Sequence, residues 1–594
     1  MVKTYLEINP TAKVVILESE STVGGVWSRD RLYPGLCTNN LYGSIGYSDF
    51  PMDEKTFGVK AGEFVPGTVI HEYLQAYAEA FKLHDHIRFQ SWVGSVERGE
   101  KERGWIVKYS QGGDARHEGG NTSQTIQTRK LVIATGLTSE PFVPQVKGSH
   151  AFDAPIFHAK YLGDKVPSLL ETAKNVVILG GSKSGYDAAY ACASKGISVD
   201  WVIRESGTGP IWMSTPYVTP LKKKLDQLVG VRFLTWFSPC IWGANDGFGW
   251  YREKLHETKF GRWLVDTFWG ILSNDVITLM GFDKHPETQK LKPWTSAFWT
   301  ASSLSIMNYP TDLFEYIRNG TIRVHVADIT NLSPRKVHLS NGDALKTDAL
   351  IFSTGWKHLP AIDFHPKGSA RELGLPHNIP LPADEDALVK EADDYILRNF
   401  PRLASQPQMN KKYKPLAGDE STKSLDQPFR LYRFMIPPAY VNDRSIAYIG
   451  MIMSIHTSPI AQAQALWLTA YFSNGLSHDR IERRRRVSNP KVCEKINIAG
   501  GPLAQSPRPF DVESVRYETI LHSQFGKWRY PGGYGKRYPD VAFDGIPYID
   551  MLLRDLGVQW QRKSNWFREL FSPYGPKDYK GLIDEWRVAN KSQS

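Results

Sequence analysis

Three stretches of the 594-residue sequence predict an α/β protein built on two Rossmann-like units. The first is Val14-Val-Ile-Leu-Glu18, an apolar run ending in a carboxylate, followed by a polar turn and Val23-Gly-Gly-Val-Trp27. The second is Asn175-Val-Val-Ile-Leu179, which feeds Gly180-Gly-Ser-Lys-Ser-Gly185. The third is a pair of apolar runs that each end in threonine and glycine, Leu131-Val-Ile-Ala-Thr-Gly136 and Leu350-Ile-Phe-Ser-Thr-Gly355. Short continuous apolar runs closed by turn residues mark parallel strands covered on both faces.

Along the chain, residues 4–7 read as the last turn of a helix that Asn9-Pro10 ends before the strand at Val14. Glu18, at the tip of that strand, is placed to accept hydrogen bonds from a ribose. A glycine-rich turn belongs roughly 20 residues upstream of such an acid. Residues 1–13 contain no glycine, so the first unit is expected to be truncated at its N-terminus. Tyr33-Pro-Gly-Leu36 predicts a turn, residues 71–81 a helix, and residues 87–89, 93–96 and 105–109 a small antiparallel meander. The polar, Gly-rich segment 111–124 predicts a surface loop. Between 206 and 310 tryptophans are dense and strand signals weak, which predicts helices and long loops. Strand character returns at 322–326 and 337–339, whereas 360–430, rich in proline and charge, is expected to be irregular and exposed. One more strand at 446–449, a helix at 459–472 and a mixed extension from 476 complete the chain.

Hydrophobic residues make up 41% of the chain and charged residues 23%, as in ordinary globular proteins. The 12% aromatic share suits either a large apolar ligand pocket or aromatic packing between domains. A net charge of +10 fits an anionic cofactor, a membrane surface or nucleic acid, but the sequence carries no nucleic-acid module. The cluster Arg483-Arg-Arg-Arg486 reads as a solvated helix face or turn, with targeting or lipid contact as the alternative. Cys37, Cys192, Cys240 and Cys493 form no Cys-x-x-Cys pair, which opposes a redox dithiol or a zinc site and points to a reducing, cytoplasmic location. No metal site is expected. The longest weakly charged run, 446–472, contains His456 and Pro459 and makes a poor membrane span.

Residues 175–206 form the strongest unit. Glycines let the backbone turn sharply and approach a pyrophosphate, whose charge rests on the following helix N-terminus. Gly180, Ser182, Ser184 and Gly185 line that turn, with Ser182 where the usual motif has glycine. The next strand ends in Arg204-Glu205-Ser206, and a cation there suits the 2′-phosphate of NADPH better than the bare ribose of NADH.

Taken in order, these residues resemble the class B flavin-dependent monooxygenases, the flavin-containing monooxygenase and Baeyer–Villiger family, and within it the fungal members that tailor secondary metabolites. The resemblance rests on Gly24-Gly-Val-Trp27, Tyr33-Pro-Gly35, Thr38-Asn-Asn40, Asp49-Phe-Pro51, Ala134-Thr-Gly136, the second glycine motif and Ser353-Thr-Gly355, and spans roughly residues 1–475. The family fingerprint F-x-G-x-x-x-H-x-x-x-(F/Y/W) is kept in part: Phe152 and His158 match, Ala154 replaces the glycine, and Tyr161 comes one residue early.

The resemblance implies an FAD-binding domain in two parts, 1–170 and 326–475, interrupted by an NADPH-binding domain at 171–325 with an aromatic-rich helical insertion, and an extension at 476–594. It implies FAD and NADPH as cofactors, and O2 and a hydrophobic small molecule as substrates. Heteroatom oxidation, epoxidation and Baeyer–Villiger insertion all remain open. Asn40, with Asn39 as the neighbouring candidate, matches the family's active-site asparagine, although either would also serve as a turn residue. Glu18, Gly24, Gly25, Trp27, Thr135, Gly136 and Gly355 match the FAD side. Thr457-Ser458 opens a helix whose N-terminus would face the flavin, and the same residues suit a plain helix cap. Membrane contact without a transmembrane span is compatible with this reading. The alternative is a shortened paralogue that keeps the fold and the NADPH site, does not hold FAD, and acts as a binding partner. A dithiol reductase on the same scaffold is opposed by the absence of Cys-x-x-Cys.

Overall fold

The apolar run at 14–17 shortens to a two-residue strand, β1 (Ile16–Leu17), and the helix before it, α1 (Val2–Ile8), closes at Asn9. The computed structural model describes residues 1–99, 104–112, 123–219, 223–408, 410–416, 418, 425–477 and 510–591. β2 (Cys37–Leu41) and β3 (Phe64–Pro66) pair antiparallel, and α2 (Gly67–Ala80) covers most of the predicted helix at 71–81. β4 (Ile87–Arg88) pairs in parallel with β1, Ile16 opposite Ile87. This corrects the expected meander, because residues 87–88 leave it for the β1 edge. The meander is instead β5 (Ser91–Arg98), β6 (Trp105–Gln111) and β7 (Ser123–Thr128). Gln111 and Gln124 are thus strand residues, and the middle of the expected loop, 113–122, lies outside the described residues. β8 (Leu131–Ile133) follows.

A five-stranded parallel sheet forms the centre of the second unit. Its strands are β9 (Ile156–His158), β10 (Asn175–Leu179), β11 (Ser198–Ile203), β12 (Ile322–Val326) and β13 (Ala349–Phe352), in the order β9–β13–β10–β11–β12. Val176, Val177 and Ile178 of β10 are fully buried, as a central strand covered on both faces requires. α3 (Lys183–Ala193) packs on this sheet through a run of alanines. Two strands, β9 and β13, come from outside the 171–325 segment, so Gly355 closes a strand of this sheet.

The insertion between β11 and β12 carries α4 (Gly249–Glu257) and α5 (Lys259–Met280). Part of 360–430, expected to be irregular, is the 17-residue helix α6 (Ala383–Asn399). Asp384, Glu385 and Asp386 occupy its first turn, where the helix dipole favours acids, and Ala392 and Ile396 face the core. The charge that suggested exposed loop belongs to the solvent side of a helix. β14 (Ile446–Tyr448) pairs in parallel with β8. α7 (Thr457–Phe472) is buried from Ala463 to Phe472, consistent with a sequence apolar all round.

The segment after 510 is part of the core rather than an appendage. α8 (Val512–Arg529), α9 (Gly545–Leu556) and α10 (Trp566–Phe571) join it through buried charges. Arg232 has no exposed surface; its guanidinium pairs with Asp550 of α9 and lies 2.6 Å from Glu569 of α10. The chain end returns to α1, where Arg587 donates 2.7 Å to the Glu7 carbonyl. Arg483 to Arg486 and Cys493 lie outside the described residues. Among the described residues, no helix is long and apolar enough to cross a membrane.

Candidate functional site

The parallel pairs β1–β4 and β8–β14 are separate two-stranded sheets, and among the described residues no strand joins them. A cavity of about 1770 Å³ opens between them. It is lined by Ile16 to Glu18, Gly24 and Gly25 on one side and by Leu131 to Thr135 on the other, with Ala461 and Ala465 of α7 and Leu582 from the chain end closing it. Pockets for single small molecules run about 300–1,000 Å³, so this space is on the scale of something larger.

Glu18 is fixed by its main chain, whose N–H donates to Arg88 at 3.0 Å and whose carbonyl accepts from Ser91 at 2.8 Å. Its carboxylate accepts the Glu20 N–H at 2.9 Å, and burial pushes its pKa up. Gly24 has φ +125°, and a Cβ there would lie 2.9 Å from the Trp27 carbonyl carbon, so only glycine serves. Gly25 and Gly136 also have positive φ, yet a Cβ at either would meet no atom within 4 Å. The Thr135 hydroxyl is buried without a hydrogen-bond partner. A carboxylate, an orphaned hydroxyl and Gly25 facing the cavity suit a ribose and a ring system, whereas Gly136 does not line it. Trp27 does not line the cavity; its carbonyl accepts from His71 at 3.0 Å and its ring packs on the α2 cluster.

The two candidate asparagines lie side by side on β2, and the two-residue period of a strand sends them to opposite faces. Asn39 faces Ser305, whose hydroxyl is 3.3 Å from its Oδ1. Asn40 faces the segment before α7, with Nδ2 3.4 Å from the Ile455 carbonyl. Thr38 and Asn308 hold the strand: Thr38 Oγ1 donates 2.6 Å to the Asn40 carbonyl, and Asn308 donates to the carbonyls of Cys37 and Thr38 at 3.2 and 3.1 Å. Beside them, His456 caps α7 by position alone: both ring nitrogens are buried without partners, and burial lowers its pKa to about 4. Thr457 does not cap; its hydroxyl donates back to the Ser454 carbonyl at 3.2 Å.

At the second site the glycines answer to protein atoms. A Cβ on Gly180 (φ +122°) would lie 2.2 Å from the Ser353 carbonyl oxygen, and one on Gly185 would lie 2.4 Å from the Gly180 carbonyl oxygen. Ser182 sits at the N-cap of α3 with its hydroxyl 3.3 Å from the Ser353 carbonyl, and Ser184 is in the first turn. Asp187, one turn further, accepts from Tyr33 at 2.8 Å and Tyr309 at 2.7 Å, so the Tyr33-Pro-Gly turn is tied to α3. The sequence held a hint of this, a lone acid in an alanine-rich helix, but not its distant partners. Arg204 follows β11, 17% exposed at its side chain; it donates to Ser206 at 2.8 Å and the Lys414 carbonyl at 2.6 Å and stands 3.7 Å from Asp328. Gly355 ends β13, accepts the Phe142 N–H at 3.0 Å, and does not line the large cavity. His158 ends β9 edge-on to Trp356 at 5.1 Å. It is 2% exposed with Nε2 unpartnered, and burial lowers its pKa to about 4.

Residues 46–227 match the family described as pyridine nucleotide-disulphide oxidoreductase. The FAD-dependent monooxygenase resA of Aspergillus sclerotiorum is 31% identical, over 99% of this chain and 96% of its own. The chain belongs to the FAD-dependent monooxygenase family. A second relative, the FAD-dependent monooxygenase rstn6 of Aspergillus nomiae, is 30% identical over 98% of this chain and 95% of its own. Among solved structures, closed cyclohexanone monooxygenase aligns with a TM-score of 0.53, covering 100% of this chain and 95% of that one at 12% identity, which shows a shared fold. The resemblance to class B monooxygenases and the α/β fold class are thus borne out. In this monooxygenase Cys37, Cys192 and Cys240 are free thiols, and the sequence has no Cys-x-x-Cys for disulphide chemistry.

Proposed function

We propose that this monooxygenase holds FAD in the cavity between the β1–β4 and β8–β14 pairs, takes NADPH at the 180–185 turn, and transfers one oxygen atom of O2 to a hydrophobic small molecule in secondary-metabolite biosynthesis. The cavity carries the reading, because Glu18, Gly24, Thr135 and α7 converge on one space of dinucleotide scale. Bound FAD supplies the two-electron chemistry with O2; one oxygen enters the substrate, the other leaves as water, and NADPH provides the electrons.

The chain's own residues bind, orient and exclude water. Glu18 accepts from ribose hydroxyls, Thr135 provides the orphaned hydroxyl, and Gly25 leaves room for the cofactor. Asn40, which does not line the cavity, offers a side-chain amide beside the segment before α7, while Asn39, hydrogen-bonded to Ser305, anchors the strand. The N-terminal end of α7 carries positive potential that favours an electron-rich ring. Arg204 turns from Ser206 and the Lys414 carbonyl to the NADPH 2′-phosphate. The chain end, through Tyr579 and Leu582, shields the cavity from solvent.

The test is the visible spectrum of the full chain before and after FAD is added, with NADPH consumption in air as the second readout. A bound flavin band is expected. At a hundredfold excess of FAD over its Kd, stability should rise by about 2.7 kcal/mol in thermal denaturation. A chain that binds NADPH but no flavin would overturn this reading in favour of the partner-protein alternative.

A further inference from the structure

The tryptophan-rich insertion does not serve the core alone. Trp236, Trp242 and Trp269 are buried, but Trp250 is 61% and Trp263 59% exposed. On α5, Phe260, Trp263, Thr267, Gly270, Ile271, Asn274 and Thr278 are all exposed. At helical spacing they fall within an arc of about 100° running roughly 27 Å along the axis. No residue in that arc is charged. The opposite face, through Val265, Trp269, Val276 and Met280, is sunk in the core.

A segment some 300 positions later also carries exposed rings. On α10, Trp566 is 72% and Phe567 60% exposed. A chain of ring contacts runs from α4, which precedes α5, to α10 by way of the buried Trp236: Trp250 to Tyr251 at 5.0 Å, Tyr251 to Trp236 at 5.2 Å, Trp236 to Phe233 at 5.4 Å, Phe233 to Phe571 at 5.3 Å and Phe571 to Phe567 at 5.0 Å. Exposed aromatic and aliphatic side chains gathered on three helices in this way mark an interaction face.

We propose that this face docks on a phospholipid membrane, with the rings of α4, α5 and α10 seated among the headgroups. Lys254, Lys259 and Arg568 are exposed at its rim. Lys254 stands 5.8 Å over the Trp250 ring. Indole and phenyl groups flanked by cations are the composition of interfacial contacts, and the net charge of +10 favours an anionic surface. Glu253 and Glu257 on α4 offset part of the local charge, so the rings carry most of the affinity and anionic lipid adds to it. Contact is peripheral, since no described helix can span a bilayer.

The test is flotation of the full chain with phosphatidylcholine vesicles and with vesicles that also contain phosphatidylserine. Binding to both is expected, stronger to the second. The double variants Trp263→Ser/Ile271→Ser and Trp566→Ser/Phe567→Ser should each lower the bound fraction about five-fold or more, with unchanged melting temperature and flavin spectrum. Lys254→Glu/Lys259→Glu should remove the preference for phosphatidylserine. No binding to either vesicle, variants that float like the wild type, or a dimer in sedimentation that the same substitutions dissolve would each overturn the proposal.

Discussion

In the second nucleotide-binding unit, Gly180 has the Ser353 carbonyl against it, and Gly185 has the Gly180 carbonyl. In the first unit, Gly25 and Gly136 have nothing within 4 Å, and Gly25 lines the large cavity. The same residue type therefore has two causes in one chain. At Gly180 and Gly185, and at Gly24 of the first unit, glycine is required by backbone packed on backbone. At Gly25 and Gly136, and at Gly355 after β13, no atom blocks a side chain, and only the left-handed backbone favours glycine.

Breaking the protein-packed side should have the largest effect. Gly180→Ala drives a methyl group into the Ser353 carbonyl at a positive φ and should cost more than about 4 kcal/mol, seen as lost soluble expression or a steep fall in melting temperature. Gly25→Ala meets no atom and should cost only about 1–2 kcal/mol for its left-handed backbone, while weakening flavin binding in the cavity it lines. Equal losses for the two would erase the distinction.

The boundary between the units is sharpened by pH. Folded His158 has a pKa of about 4 and its unfolded value is about 6.5, so the unfolded chain binds the proton first as pH falls. Stability from this group is complete above about pH 6.5 and declines toward pH 4, by up to about 3 kcal/mol (2.5 units at 1.36 kcal/mol each). His158→Gln should flatten the fall of melting temperature over that window; an unchanged slope would move the acid sensitivity elsewhere. The smallest effect tests the second unit's ligand. Arg204→Ala should weaken NADPH by about 2 kcal/mol relative to NADH, in keeping with loss of one charge-assisted phosphate contact. Equal loss for both would free Arg204 of that role and leave it bracing Ser206 and Lys414.

Local pattern carried the fold. An apolar run, a glycine turn, an alanine-rich helix and a second apolar run can satisfy their backbone hydrogen bonds in few ways, so 175–203 was legible without its neighbours. So was Glu18, because its position at a strand tip follows from the run before it. Partners distant in sequence were not legible. Residues 87–88 pair with β1 because that edge was open, Gly355 ends a strand of the second sheet, and the charged stretch around 383–399 is a helix whose apolar side finds the core.

The sequence by itself determined that this is a two-unit α/β protein, because periodicity and turn chemistry are properties of short segments, and the order of its motifs carried the resemblance to the flavin monooxygenases. Only the tertiary structure decided that Asn39 and Asn40 face different ways, that Tyr33 reaches Asp187, that residues 579–584 wall the cavity, and that Trp250, Trp263 and Trp294 of the aromatic insertion are left on the surface. Each of these depends on which segments meet, and that is set by burial summed over the whole chain rather than by the residues on either side.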